Sequence, residues 1–469
     1  MDLIARLRQH IPQAARVACT LPDERTVREL LSDNPQRLRH IFGVVRAAAD
    51  LGPFLGQPER FAADLHLAAL CHDLAYAPGL RVTGFHPLDA AIYLAARNAS
   101  ADVISAVLFH TGAAGEAWSH TAAAPLYEDL GVEEPTLLRD ALTFCDLRTW
   151  PSGDYCTTPE RLLEIVERYG REHPVAVNVL SYGDEFRRIG TRVLRQLARS
   201  AHCTLPWVFM DIDSTLVRPG GTLSDENRRA VADYLDAGGR ISLATGKHPV
   251  ALEGLAKQIG TAGPHIAGNG AIIVNPEGRQ LVSEITTQAP AVQCQLQGFG
   301  VPHACYTEDG IFVDRALVSA EHVAKLVSIN EPIPVAGVGT PARPVFKILA
   351  FVDRKETGRE MQLRELADSS GLSCIRTSSE FLEFISSSGG KGVAVEAILR
   401  RFGWPVFHSA GLGDSENDLP MLRRCGMAAA VANASDIVLA SVDLTVGACE
   451  DNGVAEFLQM LHSLNVEVA

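Results

Sequence analysis

The 469-residue chain is 47% apolar and carries a formal charge of −14. Its length exceeds what one hydrophobic core serves, so a multidomain globular protein is expected. The acidic balance excludes general affinity for nucleic acid or anionic membranes, which bind basic surfaces, and no window offers the roughly 18 uninterrupted apolar residues of a membrane span.

In such a chain a phosphorylated ligand needs local cations, from metal, Lys or Arg. The start, Met1 to Arg8, is charged throughout and leads into no long apolar run, so no signal peptide is expected. Ten scattered cysteines without a Cys-x-x-Cys pair suit a reducing cytoplasm. Cys71 and Cys145 read as buried filler.

Residues 1–203 carry helical periodicity: Arg37 to Leu51, Phe61 to Leu74, Pro87 to Arg97, Val103 to His110 and Pro135 to Leu147 repeat apolar residues every three or four positions. A basic amphipathic helix from Asp184 to Ser200 precedes a junction at Cys203-Thr204-Leu205-Pro206. His40, His72, Asp73, His86, His110 and Asp146 lie on or at the ends of different helices, so a bundle can gather them about its centre. Imidazoles with carboxylates suit Fe, Mn or Zn, and an adjacent His-Asp pair serves one or two ions. His10, His66 and His120 read as ordinary core or surface residues. The ordered set, with Arg39-His40 first, Cys71-His72-Asp73-Leu74 as the doublet and Cys145-Asp146 last, resembles the HD-domain metal-dependent phosphohydrolases. His86 in Gly-Phe-His-Pro and His110 in Leu-Phe-His-Thr-Gly resemble the branch with two metals, which includes hydrolases of dinucleoside polyphosphates. The resemblance spans about 30–180 and implies an all-α bundle acting on a nucleotide or phosphodiester. One departure stands out: Leu74-Ala75-Tyr76 follows the doublet where many active relatives have a lysine.

Beyond the junction, short buried strands alternate with helices, at Trp207 to Met210, Ile241 to Ala244, Ile272 to Val274 and Val406 to Leu412, which implies a parallel sheet. Between the first two, Ser224 caps a helix whose inner face is Val231, Tyr234 and Leu235, and Gly238-Gly239 ends it. From 285 to 385 the chain is strand-rich, with Gly310 to Asp314, Phe346 to Val352 and Phe381 to Ile385, and reads as an inserted α+β domain. The core is then 204–284 plus 386–469.

Ligands of an open parallel sheet bind beyond the carboxyl ends of its strands, where Asp211, Thr245 and Asp414 all fall. Asp211 would attack phosphorus to give an aspartyl-phosphate. Asp213 serves as general acid and then base. Mg²⁺ held by Asp211, Asp414 and the main-chain oxygen of Asp213 would offset the charge between carboxylate and phosphate. Thr245 and Lys391 bind phosphoryl oxygens, and Thr215, Asn269, Asn417 and Asp418 stand behind them. The order Asp211-x-Asp213-x-Thr215, Thr245 in Ala-Thr-Gly-Lys, Lys391 before a helix, and Gly413-Asp414-x-x-x-Asp418 resembles the haloacid dehalogenase phosphohydrolases, in the layout of their Cof-type branch. Asn269-Gly270-Ala271 and Asp451-Asn452-Gly453-Val454 resemble that branch too. The likeness covers about 207–465 and implies a Rossmann-like core, Mg²⁺ and a cap over 285–385 that selects a small phosphorylated metabolite. Lys247 stands where arginine is frequent in those relatives. Asp213 argues against a dehalogenase, while a phosphotransferase would use the same residues.

The expectation is therefore a cytoplasmic phosphomonoesterase fused to an HD-type hydrolase. The alternative is a single phosphatase whose helical part senses a nucleotide or mediates assembly. Neither substrate nor oligomeric state is legible.

Overall fold

Side-chain caps fix where the helices of the first unit begin. In the computed structural model, which describes residues 3–9, 20–130, 134–200, 205–329, 331–337 and 343–466, the chain divides into two compact units at 204/205. The expected junction at Cys203-Thr204 and the residue His10 lie outside the described residues.

Asn34 accepts from the Arg37 N–H at 3.1 Å and Pro35 opens the helix Pro35–Leu51. Ser100 and Thr136 cap Ala101–Phe109 and Leu137–Leu147 in the same way. These helices and Glu59–Cys71 pack on one another through faces such as Ile41, Val44, Val45, Ala48 and Leu51. The helices Thr158–Tyr169 and Pro174–Ser181 fall within the expected helical region but were not delimited in it; a Thr157/Glu160 capping box and Pro174 respectively mark their starts. Cys71 and Cys145 are wholly buried, and burial pushes both thiols far above their ordinary value, as inert packing residues require.

Among its described residues the second unit has fourteen strands. In the core these are β1 (Trp207–Asp211), β2 (Arg240–Ala244), β3 (His265–Ala267), β4 (Ile272–Asn275) and β5 (Gly278–Leu281). The insertion supplies β6 (His303–Thr307), β7 (Gly310–Val313), β8 (Val335–Ala336), β9 (Val345–Phe351), β10 (Leu372–Arg376) and β11 (Phe381–Ser386). The chain then returns to the core with β12 (Ser409–Gly413), β13 (Met427–Val431) and β14 (Leu444–Val446). The core sheet runs β14-β13-β12-β1-β2-β3-β4-β5. Every pair from β14 to β3 is parallel, but β4 lies antiparallel to both β3 and β5. The expectation of a parallel strand at Ile272 to Val274 is thus corrected. Only Gly268-Asn269-Gly270 and Ala271 separate β3 from β4, far too little chain for a crossover. Ser224 does cap the helix Asp225–Asp236, which buries Val231 and Tyr234.

The inserted sheet runs β10-β11-β9-β6-β7-β8. Strand alternation gives it two faces. Cys305, Ile348, Ala350, Leu382 and Phe384 pack with Val292, Leu296, Leu363 and Ala367 of the helices Ala289–Gly298 and Thr357–Ser369. Tyr306, Lys347 and Glu383 occupy the opposite face, toward the core.

Gly270 has φ +97°, and a Cβ there would lie 2.1 Å from the Gly390 carbonyl and 2.5 Å from the Lys391 nitrogen. Gly270→Ala is expected to lower stability by about 2 kcal/mol or more, through backbone strain and overpacking, as read by chemical denaturation. A variant as stable as the parent would contradict this account of the packing beneath Lys391.

Candidate functional site

Adjacent parallel strands bring three acids of the second unit together. β1 is buried along its whole length and places Asp211 at its carboxyl end, 7% exposed. A tight turn follows, in which the N–H groups of Leu216 and Val217 both donate to the Ile212 carbonyl. The turn sends Asp213 outward while Thr215 returns inward, its hydroxyl donating to Asp414 at 3.2 Å. β12 pairs with β1 and delivers Asp414 beside Asp211.

Lys391 is the first residue of the helix Lys391–Arg401 and is wholly buried. Its ammonium donates to Asp211 at 2.6 Å and Asp418 at 2.5 Å. The other Asp418 oxygen accepts from the backbone N–H groups of Asp414 and Ser415, each at 3.0 Å. Both Asp418 oxygens are therefore engaged, so Asp418 positions its neighbours while Asp211 and Asp414 offer oxygens to a cation. Burial, then Asp418, Asp414 and Asp213, pushes the Asp211 carboxyl well above its ordinary range against the pull of Lys391. Asp414 is pushed up to about 6 by burial and by Asp418. One lysine does not balance three clustered carboxylates, and an all-oxygen donor set of this charge fits Mg²⁺.

Thr245 follows β2; its hydroxyl accepts from the Lys247 N–H at 3.1 Å and so keeps its proton for an anion. The Lys247 ammonium contacts Asp213 at 2.8 Å and the Ile329 carbonyl at 2.8 Å. Asn417 donates to Asn269 at 3.0 Å, and Asn269 donates to Glu383 at 2.7 Å. Glu383 also accepts from Lys347 at 2.9 Å, and Lys347 donates to the Gly246 carbonyl at 2.6 Å. These two cap residues were missed, although a single charge inside each of the strands Phe346 to Val352 and Phe381 to Ile385 is a readable sign of a buried pair. Tyr306 and Glu331, also missed, adjoin them: Lys347 lies 4.2 Å from the Tyr306 ring centre.

The six metal-ligand candidates of the helical unit fall in one cluster. His72 and His110 close their helices, and each directs Nδ1 at the carbonyl three residues back, at 2.7 Å to Ala69 and 2.6 Å to Val107. A carbonyl only accepts, so each Nδ1 carries a proton, and in the neutral form of such a ring Nε2 is a bare lone pair. The Nε2 of His72 is buried without a hydrogen-bond partner. His40 directs Nδ1 at the Trp150 carbonyl and Nε2 at Asp146, 3.0 Å away. His86 Nε2 lies 3.3 Å from Asp73, whose other oxygen pairs with Arg37. Burial lowers His86 to about 3 and His110 below its ordinary value, so both are neutral. With its Nδ1 committed, His72 turns the Nε2 lone pair of its neutral form toward an Asp73 oxygen 3.6 Å away, an arrangement that a cation between them relieves. The sets His40/His72/Asp146 and Asp73/His86/His110 each fit one. His120 faces Glu116 at 3.6 Å, and His66 is half-buried.

Comparison with known proteins follows the second unit. Residues 208–458 match the haloacid dehalogenase-like hydrolases. The chain is 26% identical over 286 residues to 5-amino-6-(5-phospho-D-ribitylamino)uracil phosphatase YwtE of Bacillus subtilis, covering 55% of this chain and 98% of that protein. It is 22% identical to the pyridoxal phosphate phosphatase YbhA of Escherichia coli, covering 54% and 96%. With an HMP-PP phosphatase of Yersinia pseudotuberculosis the identity is 25%, covering 53% and 92%. The fold is shared with a haloacid dehalogenase-like hydrolase from Bacteroides thetaiotaomicron, at TM-score 0.50, 22% identity and coverage of 55% and 99%. A Streptococcus mutans protein aligns at TM-score 0.51 and 19% identity, with the same coverage.

Glu331 accepts the His248 N–H and is pushed from 4.5 up to about 7, chiefly by burial. Such an acid loses stability as pH climbs from about 4.5 to 7, because the unfolded chain gives up its proton first, and the loss is complete above 7. Glu331→Gln should therefore gain stability relative to the parent between pH 5 and pH 8, by up to about 2–3 kcal/mol. Chemical denaturation across that range checks it, and a pH-independent difference would contradict it.

Proposed function

Because the chain belongs to the haloacid dehalogenase-like hydrolases, we propose that its second unit is a Mg²⁺-dependent phosphomonoesterase acting on a small phosphorylated metabolite in the cytoplasm. The observation that carries this reading is the buried Lys391 bridging Asp211 and Asp418 beside Asp414. Asp211 attacks phosphorus, its carboxylate aimed by the lysine. Asp213 protonates the leaving oxygen and later takes the proton of the attacking water, with Lys247 holding its carboxylate in place. Thr245 and Lys391 donate to the phosphoryl oxygens. Asp211, Asp414 and the Asp213 main-chain oxygen would hold Mg²⁺, which would supply charge neutralisation between carboxylate and phosphate. The named relatives are phosphatases of 5-amino-6-(5-phospho-D-ribitylamino)uracil, pyridoxal phosphate and HMP-PP, which supports a small substrate under the cap. Asp211→Asn should reduce turnover of an aryl phosphate by about 10³-fold or more, and chelation should do likewise with recovery on adding Mg²⁺. Undiminished turnover in the variant would remove Asp211 as nucleophile.

For the helical unit we propose an HD-type hydrolase of a nucleotide or phosphodiester, using one or two Fe, Mn or Zn ions at His40, His72, Asp73, His86, His110 and Asp146. The unpartnered Nε2 of His72 supports it most directly. Elemental analysis of the full chain should find a transition metal that His72→Ala and Asp146→Ala lose, without loss of aryl phosphatase activity. A parent protein free of such metal would overturn this half.

A further inference from the structure

Resting on the reading of the second unit as a Mg²⁺-dependent phosphohydrolase, we infer that residues 449–455 form a clamp, closed by Asn433, Asn227 and Arg218, that positions the turn carrying Asp213 and thereby sets the affinity for Mg²⁺. These are positioning residues, which act through the turn.

The turn needs holding. Ser214, directly after Asp213, has φ +62°, a left-handed conformation that is disfavoured for a residue with a Cβ. The Asp213–Ser214 peptide is trans, so its carbonyl and its N–H point in opposite directions. Because that N–H donates to the Val217 carbonyl at 2.8 Å, the conformation of the turn sets where the Asp213 oxygen points.

Two asparagines close the clamp in the same way. The Asn433 Nδ2 donates to the Ser214 carbonyl at 2.9 Å while its Oδ1 accepts the Cys449 N–H at 2.7 Å. The Asn227 Nδ2 donates to the Leu216 carbonyl at 3.4 Å while its Oδ1 accepts the Ala455 N–H at 3.1 Å. A carbonyl only accepts and an N–H only donates, so each amide has one orientation that satisfies both sides. Arg218, at the end of the turn, donates to the Glu450 carbonyl at 2.8 Å and to the Asn452 Oδ1 at 3.2 Å. The turn is thus held at three points by one segment from the far end of the chain. That segment is shaped for close approach: Asn452 is left-handed at φ +64°, and a Cβ on Gly453 would lie 1.8 Å from the Gly447 carbonyl. Asp451-Asn452-Gly453-Val454 thereby acquires a task in the chemistry of the distant Asp211-x-Asp213 motif.

Position, more than folding, is what Asn433 contributes. It is exposed, and a hydrogen bond in contact with water adds little to global stability. Calorimetric titration of Mg²⁺ into the full chain without substrate, alongside chemical denaturation, tests the clamp. The binding that Asp414→Ala removes is that of the second unit, and the helical unit is common to every variant. Asn433→Ala should weaken that binding about tenfold, as loss of a residue that orients a metal ligand does, with the unfolding midpoint of the parent. Arg218→Ala should act in the same direction; if it misfolds, Asn433→Ala decides alone. Undiminished Mg²⁺ affinity overturns the clamp, as does an affinity lost only together with the unfolding midpoint. If Asp414→Ala removes no Mg²⁺ binding from the parent, the metal reading falls and the inference with it, whereas binding that Asp414→Ala removes and Asn433→Ala leaves intact overturns the clamp alone.

Discussion

The contact on which the second unit's chemistry depends is the Lys391 ammonium, buried between Asp211 and Asp418. Burying one charge is expensive unless its partners are fixed, and here each partner is fixed by backbone. Asp211 ends a fully buried central strand, and Asp418 is tied down by two N–H groups. Gly413 must be glycine-like at this point, since a Cβ would lie 2.6 Å from the Asp418 side chain. Gly270 likewise lets β3 and β4 turn beneath the start of the lysine helix. The Asp211 carboxylate is thereby held in one orientation without a flexible side chain choosing it, which is what preorganised charge stabilisation requires.

A comparable constraint organises the helical unit, with tautomer in place of charge. Helix-end carbonyls take the Nδ1 protons of His72 and His110 and so commit the opposite nitrogens to act as acceptors. Carboxylates placed against those nitrogens leave the cluster short of positive charge. In the core of the second unit the shortage arises from three acids, and in the helical unit from lone pairs and acids together. Both are arrangements that divalent cations relieve.

The cap adds a third buried ionic group, Lys347 with Glu383, connected through Asn269 to Asn417 on the core. This chain of hydrogen bonds ties the inserted sheet to the rim where phosphate chemistry is placed. Its members arrive from β9, β11, the β3–β4 turn and the loop after β12, so their grouping is a product of sheet order.

Much of the acidic cluster of the second unit was legible because its spacing is local in sequence. Asp211-x-Asp213-x-Thr215 and Asp414 to Asp418 are short motifs whose strand-end position follows from the apolar runs before them. Helical periodicity likewise marked the elements bearing His40, His72, His110 and Asp146. What stayed hidden depends on pairing between distant segments. The direction of β4 was misread because an apolar run looks alike in either orientation, and only the length of the preceding turn excludes a crossover. Arg37, Arg161 and Arg168 carry no pattern in the sequence that relates them, and only packing places them around one cavity. Sequence by itself thus determined the family of the second unit and the clustered His and Asp set of the first, since both reside in residue identity and short spacing. Tertiary structure alone decided which charges are buried together, because desolvation and the mutual field of distant residues exist only once the chain has closed around them.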